Sequence, residues 1–200
     1  MHRVLTKVAD VDGLQVVTFD EAKTHIKIGD ADDDTFLQTY IDAAIDWAED
    51  YTRRPIRYAQ YLLKTEGFQT VDRQLCIRLQ GTVASVDSVR YRNSSGVLTT
   101  IDGPAASPGP AIYEALAGQH STVIRAAVNQ SWPALQQYMD NLQVTFTAGW
   151  TGETVPAAIR HAILLKTAAG DALRAPGDDD DAQVDRAARR LLDPWVLPVW

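Results

Sequence analysis

Between residues 32 and 55 the apolar positions Leu37, Ile41, Ala44, Ala48 and Tyr51 recur at alternating steps of four and three, with Phe36, Tyr40 and Trp47 widening the face. That spacing predicts a long amphipathic helix with one buried stripe. Asp33 or Asp34 can cap its start, Pro55 stops it, and Arg53 and Arg54 stand in the last turn, where the helix dipole favours cations. The opposite face carries Asp42, Asp46 and Glu49 at helical spacing, with Asp50 beside them. Like charges so placed cost about 0.2–0.5 kcal/mol a pair. Either solvent and the pairs Glu49–Arg53 and Asp50–Arg54 offset that cost, or the face meets a partner's cations or an aqueous channel.

Residues 1–17 show no clear period and read as an N-terminal arm. Thr18 and Glu21 form a capping box that opens a short helix ending near Ile28 and Gly29, and an acidic link leads into the long helix. After Pro55 the period falls from near 3.6 to near 2. Residues 61–65, then Leu75, Ile77 and Leu79 against Gln74, Cys76 and Arg78, then residues 86–92, read as strands. Asn93-Ser-Ser-Gly96 is a turn joining residues 89–92 to 97–101 as a hairpin. Residues 102–120 hold Pro104, Pro108 and Pro110 and read as a loop, followed by strands at 122–125 and 142–148. From Pro156 the helical period returns with Ile159, Ile163, Leu164 and Thr167, weakened at Gly170 and ended at Pro176 and Gly177. A last helix carries Val184, Ala187, Ala188, Leu191 and Leu192 on one face, after an acidic run at 178–181 read as its solvated N-cap. The expected organisation is an arm over 1–17, a main domain over 18–175 with a β insertion at about 58–148, and a C-terminal helix and apolar tail over 176–200. The expected fold class is α+β, a mainly helical domain with a long central helix, N-terminal and C-terminal helices and an inserted antiparallel β segment. Its helices at 33–53 and 156–170 should pack together, with the strands forming a separate sheet.

Composition narrows the function. The 200 residues, 46% of them hydrophobic, suffice for a core without staples. Cys76 is the single cysteine, so no intramolecular disulfide or cysteine zinc site can form, which fits a reducing compartment. No run approaches the ~18 apolar residues of a membrane span, and the first ten residues lack a signal-peptide core, so a cytosolic soluble protein is expected. A formal charge of −7 and a pI near 5.0 argue against gripping nucleic acid by its phosphates. Basic residues cluster only at Arg53, Arg54 and Arg57 and at Arg186, Arg189 and Arg190.

Catalytic and metal motifs fail one by one. His2, His25, His120 and His161 are scattered, and there is no HExxH, GxSxG, phosphate loop or dinucleotide fingerprint. Residues 30–35 start like a calcium loop, but Thr35 stands where the tight turn needs glycine and Ile41 where a bidentate glutamate belongs. No catalytic residue, metal or cofactor is expected. The chain ends in PWVLPVW, whose two prolines forbid a helix while its tryptophans and aliphatics demand cover. Arg186, Arg189, Arg190, Leu191 and Leu192 deliver charge and apolar surface next to Trp195, Val196, Leu197, Val199 and Trp200, the composition of interface hot spots. Either the tail packs on its own domain or it hooks a partner.

Taken in order, TFDEAKTHIKI, GDADDD, a helix ending in AEDYTRRPI, strands with SVDSVRYRNSSG, then VTFTAGW, VPAAIRHAILL and a basic last helix resemble the head-tail connector, or adaptor, proteins of long-tailed bacteriophages and gene transfer agents. The resemblance covers about residues 16–170, and is most specific at AEDYTRRPI and at the VTFTAGW to VPAAIRHAILL junction. It implies a structural part of the particle. Such a subunit forms a ring, typically dodecameric, beneath the portal protein, continues the DNA channel without specific DNA binding, and meets a tail-side stopper or terminator protein. It would be made in the bacterial cytoplasm and end at the head-tail junction of a particle, without membrane contact. On that view the C-terminal residues named above bind the portal, and Asp42, Asp46 and Glu49 form an acidic contact or channel face. The alternative is a small cytosolic ligand-binding or regulatory module, also non-enzymatic.

Overall fold

The computed structural model describes residues 3–11, 15–26, 34–71, 74–104, 111–118, 121–135, 140–172 and 180–197. The helix end at Ile28 and Gly29, the acidic link through Asp33, residues 178 and 179 of the acidic run, and Val199 and Trp200 lie outside the described residues. The chain divides into two compact units. A β unit comprises Met1–Val11 and Ala59–Gly149, and a helical unit comprises Asp12–Tyr58 and Trp150–Trp200.

The helical unit holds α1 (Phe19–Ile26), α2 (Asp34–Thr52), α3 (Ala157–Ala172) and α4 (Asp180–Leu192), followed by a single 3-10 turn, Asp193–Trp195. The capping box at the start of α1 is formed, with Thr18 Oγ1 accepting from Glu21 N–H at 3.2 Å and the Glu21 carboxylate accepting from Thr18 N–H at 3.1 Å. Leu37, Ile41, Ala44 and Ala48 of α2 are buried together with Ile45, and they meet Ile159, Ala162 and Ile163 of α3 and Ala188 and Leu192 of α4. Each Leu or Ile so buried contributes about 1.5–3 kcal/mol. Phe36, expected to widen the stripe, is exposed instead. Gly170 leaves room for the ring of Tyr40, which a Cβ there would meet at 3.0 Å.

The β unit changes the expected fold class. Among the described residues the chain has nine strands against four helices, in two antiparallel sheets, so it is not mainly helical as expected. One sheet has five strands in the order β1 (Arg3–Asp10), β2 (Ala59–Thr65), β9 (Leu142–Ala148), β5 (Val83–Arg92), β6 (Leu98–Ile101). The other has four, in the order β3 (Gln69–Val71), β4 (Gln74–Gln80), β8 (Ser121–Ala126), β7 (Tyr113–Ala117). Alternation along each strand reports which residues face inward, not how strands are shared out between sheets, and here both sheets bury their inner residues in one core. Tyr61, Leu63, Val89, Val144 and Phe146 come from the first sheet, and Ile77, Leu79, Tyr113 and Ile124 from the second. The hairpin at residues 93–96 forms with Asn93 N–H donating to Val97 C=O at 3.0 Å and Gly96 at φ 77°.

Three local expectations are also revised. The segment read as an arm contains β1, an edge strand. The proline-rich loop contains β7, between Ile112 and Gly118. In β4 Ile77 and Leu79 are buried as expected, but Cys76 is buried as well and Leu75 is exposed.

Pairing across the five-stranded sheet is in continuous rows. Leu5, Leu63, Val144, Val89 and Ile101 lie side by side on the core face, and Val4, Lys64, Gln143, Arg90 and Thr100 form the next row on the outer face.

Candidate functional site

Within the helical unit, Arg54 and Ile56 of the RRPI segment meet Trp150. Helix α2 ends at Thr52, and Arg53 takes a left-handed conformation at φ 56°, a position usually filled by glycine at a helix end. That turn reverses the chain, so residues 54–57 come back alongside α2. Arg54 then points inward instead of joining the last helical turn. It is buried, and its guanidinium carbon lies 5.6 Å from the ring of Trp150 and 5.8 Å from that of Trp195. The two indoles meet edge to face at 6.0 Å. Burial pushes the Arg54 guanidinium down from its ordinary pKa. Trp150 N–H donates to Ile56 C=O at 3.0 Å, tying Trp150 to the RRPI segment.

Arg57 carries the acidic face of α2. Its Nη1 donates to Asp46 and to Glu49 at 2.9 Å, and its Nη2 donates to the carbonyl of Asp42 at 2.9 Å and lies 3.8 Å from the Asp42 carboxylate. The second Glu49 oxygen accepts from the N–H groups of Ile56 at 2.7 Å and Arg57 at 2.9 Å. Burial lowers the Arg57 pKa, but hydrogen bonding to Asp46 and the charges of Glu49, Asp46 and Asp42 outweigh it and the net shift is upward. The three carboxylates therefore converge on one arginine eight to fifteen residues on, and Asp42 and Asp46 keep more than half their side-chain surface open. Arg57 is a partner that helix spacing could not reveal, because it lies beyond the proline.

The C-terminal residues are divided. Leu192 and Leu197 are buried, and Leu191 and Trp195 pack half-buried against the helical core. Leu197 N–H donates to Thr52 C=O at 2.9 Å, satisfying a carbonyl that the end of α2 leaves open. Val196 is half-buried, and its N–H donates to Asp193 C=O at 3.3 Å. Arg186 and Arg190 are exposed on α4. Arg189 pairs with Asp185 at 2.8 Å and lies over the Tyr51 ring, while Lys166 of α3 reaches the other Asp185 oxygen at 3.0 Å and lies over Trp47. Tyr51 donates its hydroxyl to Asp193, and that bond, more than its slight burial, raises the Tyr51 pKa. This network joins α2, α3 and α4.

His25 and His161, far apart in sequence, lie with their rings edge to face at 6.1 Å. Among the described residues no three His, Cys, Asp or Glu side chains converge as metal ligands, and no helix is long and apolar enough to cross a membrane.

Residues 16–97 match the sequence model of the phage gp6-like head-tail connector proteins. No curated protein matches the chain. Solved structures do. A chain of the neck of an empty gene transfer agent particle, computed with C6 symmetry, is 21% identical with a TM-score of 0.76 over 98% of this chain and 97% of that one. A chain in the virion of a native gene transfer agent particle is 20% identical with a TM-score of 0.72, and one in the native neck computed with C12 symmetry is 21% identical with a TM-score of 0.68, each over 98% of this chain and 97% of the other. The chain thus resembles the head-tail connectors over residues 16–97, and shares its fold from end to end with chains of the gene transfer agent neck.

Proposed function

We propose that this protein is a structural head-tail connector subunit, one copy of a homo-oligomeric ring that sits beneath the portal, continues the DNA channel and attaches the tail. The observation that carries the reading is the end-to-end likeness of fold to chains of gene transfer agent necks, joined to the connector-family match over residues 16–97. The work of such a subunit is assembly rather than catalysis. Twelve copies suit a neck that tolerates both sixfold and twelvefold averaging. The partners on this reading are the portal on one side and a tail-side stopper or terminator on the other, met in the bacterial cytoplasm as the particle is built.

The acidic character suits a channel. Asp42 and Asp46 are exposed and share one arginine with Glu49, so the face keeps net negative charge toward anything outside. Facing the lumen, it would repel phosphates and leave DNA no holding site. The portal contact falls to the exposed Arg186 and Arg190 and to Val199 and Trp200, because Leu191, Leu192, Trp195 and Leu197 already serve the subunit's own core.

Quantitative mass spectrometry of purified particles tests the reading. The protein should be present at a fixed ratio to portal subunits, and particles from cells lacking it should be heads without tails. Recovery of the protein free in lysate and absent from particles would instead favour a small regulatory or ligand-binding module.

A further inference from the structure

The five-stranded sheet ends in two edges, β1 and β6, with no strand beyond either among the described residues. An open edge offers N–H and C=O groups that pair with another chain unless something blunts or covers them. β1 is blunted only at its far end. Its register with β2 slips between Lys7 and Ala9, a bulge at Val8, while residues 3–7 remain regular. β6 offers four regular residues, Leu98–Ile101. Aliphatic side chains lie open at both edges, with Val4 39%, Leu5 46% and, beside β6, Val97 58% exposed.

Two features fit these edges to each other. The first is direction. Five strands, each antiparallel to its neighbour, leave β1 and β6 running the same way. Rotation about a ring axis preserves a strand's direction along that axis, so β6 of one copy meets β1 of the next in parallel, and the junction repeats until the ring closes. A two-fold dimer would instead pair β1 with β1 or β6 with β6, antiparallel. The second feature is the rows. The apolar row ends at a covered Ile101 on one side and at a half-open Leu5 on the other, which a neighbouring edge would cover.

We propose that the β6 edge of one copy and residues 3–7 of the next form a parallel intersubunit junction that carries the five-stranded sheet from copy to copy. Ile101 and the next copy's Leu5 then adjoin on the core face, and Thr100 and the next copy's Val4 on the outer face. The junction rests on the ring reading above and names the surface that closes the ring.

The test uses purified particles carrying Val4→Cys, Thr100→Cys or both, treated with a short bismaleimide. Cys76 is buried, so the unsubstituted protein supplies the background. The double variant should give a ladder of cross-linked multimers and each single variant none. Particles that contain the protein but give no ladder overturn the junction and leave the ring reading standing. Dimers from Val4→Cys alone show two-fold pairing of β1 and also overturn it. Protein absent from particles overturns both. As a second measurement, Val4→Lys with Thr100→Lys should lose incorporation at unchanged melting temperature, and Val4→Lys with Thr100→Glu should regain it. Undiminished incorporation of the double lysine variant rejects the junction.

Discussion

The helical unit closes on itself, whereas the β unit ends open. In the first, three carboxylates share Arg57, Arg54 lies against two tryptophans, and Leu197 caps the end of α2. In the second, the inner faces of two sheets fill a core, but β1 shows exposed side chains along nearly its whole length. Covered contacts hold a unit together; open edges make a surface that waits for a neighbour. The difference assigns stability to one region and association to the other.

The sharpest way to break that division is at the C-terminus. Leu197→Asp should destabilise the protein by about 3–5 kcal/mol, because it places an unpaired charge in a packed site. Removal of residues 194–200 should act in the same direction, read as a lower denaturant midpoint. An unchanged midpoint would make the tail a hook and the helical unit open after all.

Arg57→Ala should cost about 1–3 kcal/mol, since Glu49 loses its charged partner and three carboxylates face one another unshielded. Its effect should shrink as salt is added, and a cycle with Asp46→Asn should show coupling, both measured by chemical denaturation. Additive effects would mean that the acidic face is held by solvent alone.

A smaller effect is expected at Asp185. Burial raises its pKa, but the hydrogen bond and charge of Lys166 and the nearby Arg189 lower it further, and the net value lies below the ordinary 3.8. A carboxyl depressed in the folded state contributes stability that is fully present above its unfolded pKa and lost as pH falls through the folded value. The melting temperature of Asp185→Asn should therefore fall less steeply than that of the unsubstituted protein as pH drops below about 4. Least of all, Val4→Ser and Thr100→Ser should change stability by under about 0.5 kcal/mol, being exposed positions. A large loss at either would show that β1 and β6 belong to the core economy of the subunit rather than to its neighbours.

How far such features were legible depended on the kind of signal each leaves. The stripe of α2 was readable because Leu37, Ile41, Ala44 and Ala48 repeat with the helix, and the capping box because Thr18 and Glu21 sit in local register. β1 left no trace, since a strand exposed on both faces shows no alternation. β7 was hidden among prolines. The apolar tail announced a need for cover, but its provider is set by a backbone bond from Leu197 to Thr52 and an indole on Arg54, contacts between distant parts of the chain. For the candidate site the carboxylates could be named, and Arg57 could be listed among the basic residues, but their meeting depends on the left-handed turn at Arg53.

The helical unit is also discontinuous, its two segments lying on either side of most of the β unit. In chain order α2 comes early, yet much of its cover comes later: Val16, Val17 and Ala22 precede it, but Ile159, Ala162, Ile163, Ala188 and Leu192 belong to α3 and α4, and its carbonyl cap to Leu197. Part of the stripe should therefore lack cover while the intervening sheet segments are made, until α3 and α4 follow. A product truncated before α3 should keep an uncovered apolar helix, the kind of surface that aggregates or is handed to proteases.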